Sequence, residues 1–433
     1  MSARNRELMA LIPASLLVTV GFAAIFIQRN EVLSNVSLTY GGVFLGLCFV
    51  AHLVIRFTLP HADPYLFPLV AVLACFGLVV IYRIDEDLAR VQAQWFVIGL
   101  IAFALTIFFL RDFRVLERYR YTIAFAGLAL LLLPRVPGIG QQVNGAYLGV
   151  GVGPISFQPA ELGKIAIVIF LAAYLQDNRR VLVQGSRRIL GVTIPPFKHL
   201  GPLLVVWGAA MFMLVFIRDL GSSLMYFGAF LALLYVATNR LSFVVIWLGL
   251  FAAGAYFFAS TISHVQNRVD VWLDPFADGL YDKVGGSYQI ANGLFAMADG
   301  GLFGRGLGAA ALRVPESNAP LIPAPETDMI FAVIVNDLGL VGGVGVIAIY
   351  LLIAERGFKI ATLATDSFSK LLATGLTAVM ALQVFVIVGG VTRVIPLTGV
   401  TLPFISYGGS SILANFVLLA LLLIVSNKAR QPV

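Results

Sequence analysis

An acid and a base stand three residues apart where a long apolar run begins. Residues 158–164 read QPAELGK, and residues 165–175 are almost wholly apolar. On a helix, Glu161 and Lys164 would share one face and could neutralise each other. Because charge inside a bilayer is costly, such residues usually face a water-filled cavity or a partner. The pattern predicts either a polar cavity within a membrane bundle or an ion pair that only locks two helices together.

Four aspartates recur at four-residue intervals in a long polar stretch. They are Asp270, Asp274, Asp278 and Asp282, in a chain with only 22 acidic residues. A water-poor surface can raise the pKa of a carboxylate towards neutrality, where it can act as a general base. Aspartates are also common in turns, because their side chains bond the local backbone. Asp274, which precedes Pro275, fits this turn role best.

The composition is that of an integral membrane protein. Of the 433 residues, 60% are hydrophobic and 12% are charged, and the mean hydropathy is +0.94, far outside the range of soluble domains. Windows of about 19 residues predict an α-helical bundle of about twelve spans, most of them long enough to cross the ~30 Å hydrocarbon core. The predicted spans are 8–28, 39–57, 65–83, 93–110, 121–135, 159–175, 200–217, 221–238, 242–260, 328–354, 369–390 and 411–426.

Basic residues predict the orientation of these spans. With twelve spans, the clusters at 111–120 and 179–198 fall on the same side as the N-terminus, which the positive-inside rule makes cytoplasmic. Both termini are then cytoplasmic, and the first span is a retained anchor because it lacks a small-residue cleavage site. The net charge of +7 fits this topology and contact with anionic membrane lipid. It does not indicate nucleic-acid binding, since no basic-aromatic face accompanies it.

Three polar segments are predicted to face outside, at 136–158, 261–327 and 389–410. Irregular backbone near membrane depth is tolerated only where it lines a cavity or is buried in protein. We therefore expect the three segments to share one external site. Within the longest segment, residues 290–298 have the composition of a short helix.

Several classes of cofactor site find no support in the sequence. The two cysteines, Cys48 and Cys75, lie in apolar spans as small hydrophobes, and the four histidines show no ligand spacing. A disulfide framework, a zinc site and a haem site are therefore not expected. Phosphate-binding and dinucleotide-binding loops are also missing from the sequence.

The ordered motifs resemble the SEDS family, the RodA and FtsW polymerases of bacterial cell-wall synthesis. Their order and spacing hold from about residue 90 to the end. The matching segments are 153–164, 219–223, 268–269, 273–278, 287–289, 300–308, 327–332, 338–342 and 403–410.

The resemblance implies an integral-membrane glycosyltransferase that polymerises lipid II into glycan strands outside the cytoplasmic membrane. It also implies a class B penicillin-binding protein, a transpeptidase, as partner. The family usually has about ten spans, so residues 1–62 are interpreted as two additional N-terminal spans. Residues 63–433 are then the polymerase core, with 261–327 as its external loop.

The resemblance also assigns candidate site residues. The catalytic aspartate falls on Asp278 when the motifs are counted forward from Arg268, and on Asp282 when they are counted back from Tyr288. We favour Asp278 because the string LDPFAD at 273–278 matches directly. The residues assigned to a central cavity or to substrate binding are Gln158, Glu161, Lys164, Asp219, Gln289, Asp328, Ser406, Tyr407, Gly408 and Gly409.

The implied chemistry needs positive charge for the departing undecaprenyl diphosphate. Arg268, Arg305, Arg313 and Arg393 are candidates that the sequence does not rank. A divalent cation such as Mg²⁺ or Mn²⁺ could serve the same purpose, but the sequence defines no metal ligands.

Two further departures from the family leave other functions open. An aromatic residue often found ahead of the 159–175 span is replaced by Gly149, and the loop between Asp278 and Tyr288 is about four residues longer than usual. Polar residues in membrane spans would also suit a flippase or transporter of lipid-linked oligosaccharides. A third alternative is a non-catalytic scaffold that recruits the transpeptidase.

Overall fold

The protein is an α-helical membrane protein with two small antiparallel sheets. The computed structural model describes residues 2–28, 35–143, 146–152, 155–184, 187–189, 192–194, 201–212, 216–217, 219–261, 263–283, 285–310, 312 and 321–431. The helices are α1 Ala3–Ala10, α2 Ile12–Gln28, α3 Asn35–Thr58, α4 Leu66–Ile84, α5 Glu86–Phe109, α6 Val115–Arg118, α7 Arg120–Leu132, α8 Pro159–Gln184, α9 Gly201–Phe212, α10 Leu220–Thr238, α11 Leu241–Thr261, α12 Ser263–Leu273, α13 Tyr288–Gly300, α14 Ile330–Leu363, α15 Ser367–Val391 and α16 Gly409–Ala429.

The predicted multi-span helical architecture is confirmed. Among the described residues, 10 helices are long and apolar enough to cross a membrane. The other two predicted spans, 121–135 and 200–217, coincide with α7, of 13 residues, and α9, of 12 residues. The count of twelve therefore stays a prediction.

The chain divides into two compact units. Unit 1 comprises residues 1–109, 270–356 and 387–433, and unit 2 comprises residues 110–269 and 357–386. In unit 1, α5 packs along α16, and α4 packs against α2. The Phe416 ring lies edge-on to Phe96, Phe103 and Phe404, with centroids 5.4, 6.2 and 5.3 Å away, a favourable aromatic geometry. Both predicted buried cysteines, Cys48 and Cys75, are buried in this unit.

Unit 2 is organised around α8, which packs against α7 and α10. Close approach to α7 depends on small residues, because a Cβ on Gly127 would lie 2.8 Å from the methyl group of Ala166. Small residues at such contacts are the usual means by which membrane helices approach each other. The packing fixes the start of α8, where Glu161 and Lys164 lie.

The segment at 136–158 contains β-structure that the sequence did not predict. Strands β1 Gly140–Val143, β2 Ala146–Val152 and β3 Ile155–Phe157 form an antiparallel sheet in the order β1-β2-β3. Glycine is depleted in strands, so the glycines in this segment suggested irregular backbone. Antiparallel pairing instead supplies hydrogen bonds to the backbone. A second hairpin joins β4 Arg187–Ile189 to β5 Val192–Ile194.

The 261–327 segment contains more helix than predicted. The helix expected at 290–298 is confirmed as α13, while α12 extends to Leu273 and was not anticipated. Beyond this segment, α14 is interrupted at Gly339, where φ is 71°, a conformation that glycine adopts without a Cβ penalty. The predicted span at 328–354 is accordingly part of a longer helical segment that continues to Leu363.

Candidate functional site

The Glu161–Lys164 pair of unit 2 is a buried three-residue cluster. Lys164 Nζ donates to Glu161 Oε2 at 2.7 Å and to Gln383 Oε1 at 2.6 Å, while Gln383 Nε2 donates to Glu161 Oε1 at 3.4 Å. Both charged residues are buried. Each charge thus has a hydrogen-bonded partner, which burial requires. We call these three residues the buried triad; their predicted role in lining a cavity stays a prediction.

Asp219 begins the neighbouring helix α10. Its carboxylate accepts from Ser222 N at 2.9 Å and from Ser222 Oγ at 2.6 Å, so it caps the helix N-terminus. Tyr226 on the same helix donates to the Ala160 carbonyl at 2.6 Å, which ties α10 to the start of α8. Gln158 contributes its carbonyl to the first turn of α8, where Glu161 N donates to it at 3.2 Å.

In unit 1, three of the four predicted aspartates line one open pocket. We call it the acidic pocket. Asp278 is exposed in its wall, whereas Asp282 is exposed but is not among the lining residues. The lining residues are Asp270, Leu273, Asp274, Ala277, Asp278, Gly279, Leu280 and Lys283.

The wall of the acidic pocket is a series of turns that follows α12. Asp274 Oδ1 accepts from Phe276 N at 3.1 Å, so its predicted turn role is confirmed. Leu280 N donates to the Ala277 carbonyl at 3.1 Å, and Gly279 between them has a φ of 72°, a left-handed conformation that favours glycine. These turns place Asp278 between two locally bonded segments.

Arg393 joins a second predicted outer segment to this wall. Its Nε donates to the Trp272 carbonyl at 2.8 Å and its NH2 to the Leu273 carbonyl at 2.6 Å, while Trp272 Nε1 donates to the Arg393 carbonyl at 3.2 Å. A cation on the last carbonyls of a helix is favourable, so Arg393 stabilises the end of α12. The contact brings 389–410 against 261–327, while the single external site shared by all three predicted segments stays a prediction.

Two backbone hydrogen bonds close the loop that carries Tyr281 and Lys283. Ser287 N donates to the Leu280 carbonyl at 3.1 Å, and Gly286 N donates to the Lys283 carbonyl at 2.8 Å. Tyr281 anchors this closed loop to α13, because its hydroxyl accepts from Asn292 Nδ2 at 3.0 Å and its ring lies 5.1 Å from the Tyr288 ring. Lys283 is thereby held at the wall of the acidic pocket.

The remaining motif residues of unit 1 form a second polar cluster. Gln289 Nε2 donates to Asp328 Oδ2 at 3.1 Å, and Thr327 Oγ1 donates to Asp328 Oδ1 at 3.1 Å. Burial raises the pKa of the Asp328 carboxyl, and these two hydrogen bonds oppose the rise. Ser406 Oγ donates to the Thr327 carbonyl at 2.6 Å, so the 403–410 motif contacts the start of α14.

The glycine-rich end of the 403–410 motif packs against α5. Tyr407 N donates to the Glu326 carbonyl at 2.8 Å, and Gly408 N donates to Gln92 Oε1 at 3.2 Å. A Cβ on Gly409 would overlap the indole ring of Trp95. Glycine is therefore required at this position by close packing, and the predicted substrate role of Tyr407, Gly408 and Gly409 stays a prediction.

Two of the candidate diphosphate-binding arginines, Arg305 and Arg393, each bond another part of unit 1. Arg305 forms an ion pair with the exposed Asp299, and its hydrogen bond lowers the pKa of that carboxyl. Arg393 bonds the end of α12, and Arg268 lies on α12 within unit 2. Arg313 lies outside the described residues.

The acidic residues of the described structure do not group into a metal site made of protein ligands alone. Across the described ranges, no group of three or more His, Cys, Asp or Glu side chains is placed to hold a metal ion. The carboxylates of the acidic pocket therefore line it without converging on one point, and no chemical step is assigned to a metal.

Two residues of these sites escaped the sequence analysis. Gln383 lies within an apolar run of α15, and a lone amide in a membrane span is a signal for a buried polar partner. Lys283 adjoins Asp282 in the aspartate series, where its own chemistry was overlooked. Lys283 is the one cation among the residues that line the acidic pocket in the described structure.

Comparison with known proteins identifies relatives over nearly the whole chain. The FtsW/RodA/SpoVE family, described as cell cycle proteins, matches residues 64–431. The chain is 41% identical over 440 residues to the peptidoglycan glycosyltransferase RodA of Mycobacterium tuberculosis, with 99% of this chain and 92% of that protein covered.

Two solved structures share the fold. One comes from a study of the structural coordination of polymerization and crosslinking by a peptidoglycan synthase complex; its TM-score is 0.68 at 27% identity, with 86% of this chain and 99% of that chain covered. The other is the rod shape determining protein RodA of Thermus thermophilus. It has a TM-score of 0.60 at 26% identity, with 86% of this chain and 98% of that chain covered.

Proposed function

The chain belongs to the FtsW/RodA/SpoVE family, and from that membership we propose that it is a peptidoglycan glycosyltransferase that polymerises lipid II. It is a multi-pass membrane protein. The observation that carries the proposal is Asp278, an exposed carboxylate in the wall of an open pocket. A base in this position can reach a large, lipid-linked sugar.

In the proposed reaction, Asp278 is the general base. It takes the proton from the sugar hydroxyl of the acceptor, whose oxygen attacks the anomeric carbon of the donor. The bond from that carbon to undecaprenyl diphosphate breaks, and the diphosphate leaves with the electron pair. A single displacement of this kind inverts the anomeric centre, and a positioned base contributes roughly 10² to 10⁴-fold to the rate.

The proposal includes the cellular setting. The protein lies in the bacterial cytoplasmic membrane with both termini inside, as the placement of basic residues predicts, and the acidic pocket faces outward. Its partner is a class B penicillin-binding protein that cross-links the glycan product. The family match begins at residue 64, which supports residues 1–62 as an addition to the polymerase core.

Polymerisation of fluorescent lipid II by the purified full-length protein, with and without its transpeptidase partner, tests the function. Asp278→Asn should reduce the rate by roughly 10² to 10⁴-fold, because it removes the proton acceptor and keeps the side-chain volume. Asp282→Asn is the matched control in the same loop, and its effect should be much smaller because Asp282 does not line the pocket.

The ratio of the two rates decides between the aspartates. A larger loss in Asp282→Asn than in Asp278→Asn would reassign the base to Asp282. If both variants polymerise lipid II at the parental rate, the loop does not supply the base. If the parental protein is inactive with its partner present, the flippase or scaffold alternative replaces the enzyme.

A further inference from the structure

The acidic pocket poses an electrostatic problem for the proposed donor. Three carboxylates, from Asp270, Asp274 and Asp278, line its wall. A lipid-linked donor brings the negative charge of its diphosphate, and like charges a few ångströms apart repel each other. The pocket therefore needs a cation in its wall if the diphosphate is to bind beside the base.

The arginines suggested by the sequence do not fill this role in the described structure. Arg305 is held by Asp299, and Arg393 donates two hydrogen bonds to carbonyls at the end of α12. Neither side chain lines the acidic pocket, whereas Lys283 does.

The backbone of Lys283 is also held in place by local structure. It lies in the closed loop that the Ser287–Leu280 hydrogen bond completes, and the adjacent Tyr281 is anchored to Asn292 and Tyr288. The family resemblance implies that this loop falls in the stretch that is about four residues longer than usual.

We propose that Lys283 binds the diphosphate of the lipid-linked donor, an inference that rests on the proposed function. An ammonium group offers three donors on a flexible stem and binds phosphate as a point charge. During transfer, Asp278 receives the proton of the attacking hydroxyl, and the diphosphate departs with the electrons of the broken carbon–oxygen bond. Lys283 keeps its proton and stabilises the charge that develops on the leaving oxygen.

Binding of a fluorescent polyprenyl diphosphate to the full-length protein tests this assignment, with the matching monophosphate as second ligand. Lys283→Gln should weaken diphosphate binding about tenfold or more, the size expected for a hydrogen bond to a charged group, and should weaken monophosphate binding less. Lys283→Arg should restore most of the affinity. Lys370→Gln, which removes the same charge from an exposed position on α15, should bind as the parental protein does.

Kinetics separate this inference from the function on which it rests. In an active parental enzyme, Lys283→Gln should raise KM for lipid II, with Lys283→Arg close to parental. Unchanged diphosphate affinity in a folded Lys283→Gln protein would overturn the assignment. A parental protein that binds polyprenyl diphosphate through Lys283 but forms no glycan would retain the diphosphate site and refute the glycosyltransferase.

Discussion

The buried triad and the acidic pocket both place charged groups in a mostly apolar chain, but only the pocket is open to solvent. In the triad, Lys164 neutralises Glu161, and Gln383 bonds to both. In the pocket, Asp278 is exposed, and the charged side chains of the wall are three aspartates and one lysine. A buried charge that lacks a partner lowers the stability of the fold, whereas an exposed charge is solvated by water and can bind a ligand. We therefore expect changes in the triad to act mainly on stability and changes in the pocket to act mainly on catalysis.

The largest expected effect on stability comes from breaking the triad. Lys164→Met should lower the free energy of unfolding by about 3–5 kcal/mol, because it leaves Glu161 without its cation in a buried site. Denaturant unfolding in detergent, followed by circular dichroism, measures this change. The Glu161→Gln, Lys164→Met double variant removes both charges and should recover part of the loss. Equal losses in the single and double variants would show that charge pairing is not what the triad provides.

A smaller loss is expected at the third member of the triad. Gln383→Leu should lower the free energy of unfolding by about 1–3 kcal/mol, the cost of leaving a buried polar group without a hydrogen bond. The ion pair itself remains, so the effect should stay below that of Lys164→Met in the same unfolding assay. A larger loss than for Lys164→Met would make Gln383 the main support of the cluster.

The smallest effect on stability is expected in the acidic pocket. Asp278→Asn should change the free energy of unfolding by no more than about 0.5 kcal/mol, as is usual for exposed positions, even while polymerisation is lost. Asp270→Asn is a matched pocket-lining control, with a similarly small effect on unfolding. Marked destabilisation by Asp278→Asn would turn the pocket into a structural region like the triad and would remove the contrast between them.

Much of the fold was predictable because each membrane span produces a long apolar run in the sequence. Extended apolar runs indicated the helical spans, and the turn role of Asp274 followed from the proline beside it. The sheet at 140–157 was missed because its glycines, such as Gly149 and Gly151, carry no strand signal of their own. Its stability depends on pairing between strands, which one segment of sequence does not display.

The sequence identified several residues of the candidate sites, but it did not identify the groups with which their side chains form hydrogen bonds. The sequence identified Glu161 and Lys164, yet Gln383 is more than two hundred positions away and is linked to them only through packing of α8 and α15. It also proposed Arg393 as an anion ligand, while the fold uses that guanidinium on the carbonyls of α12. Side chains with several donors can serve either purpose, and only the surrounding backbone decides between them.

The hydrogen bond from Ser287 N to the Leu280 carbonyl joins the two ends of the closed loop, so the residues between them could be exchanged as one unit. Because this bond joins the two ends, we expect changes in the number or charge of the residues between them to leave the spacing from Leu280 to Ser287 unaltered. The entropic cost of closing a loop rises only slowly with its length, so such changes should have little effect on the free energy of folding. Proton abstraction by Asp278 and anion binding by Lys283 could then change independently, the second through substitutions in the closed loop alone.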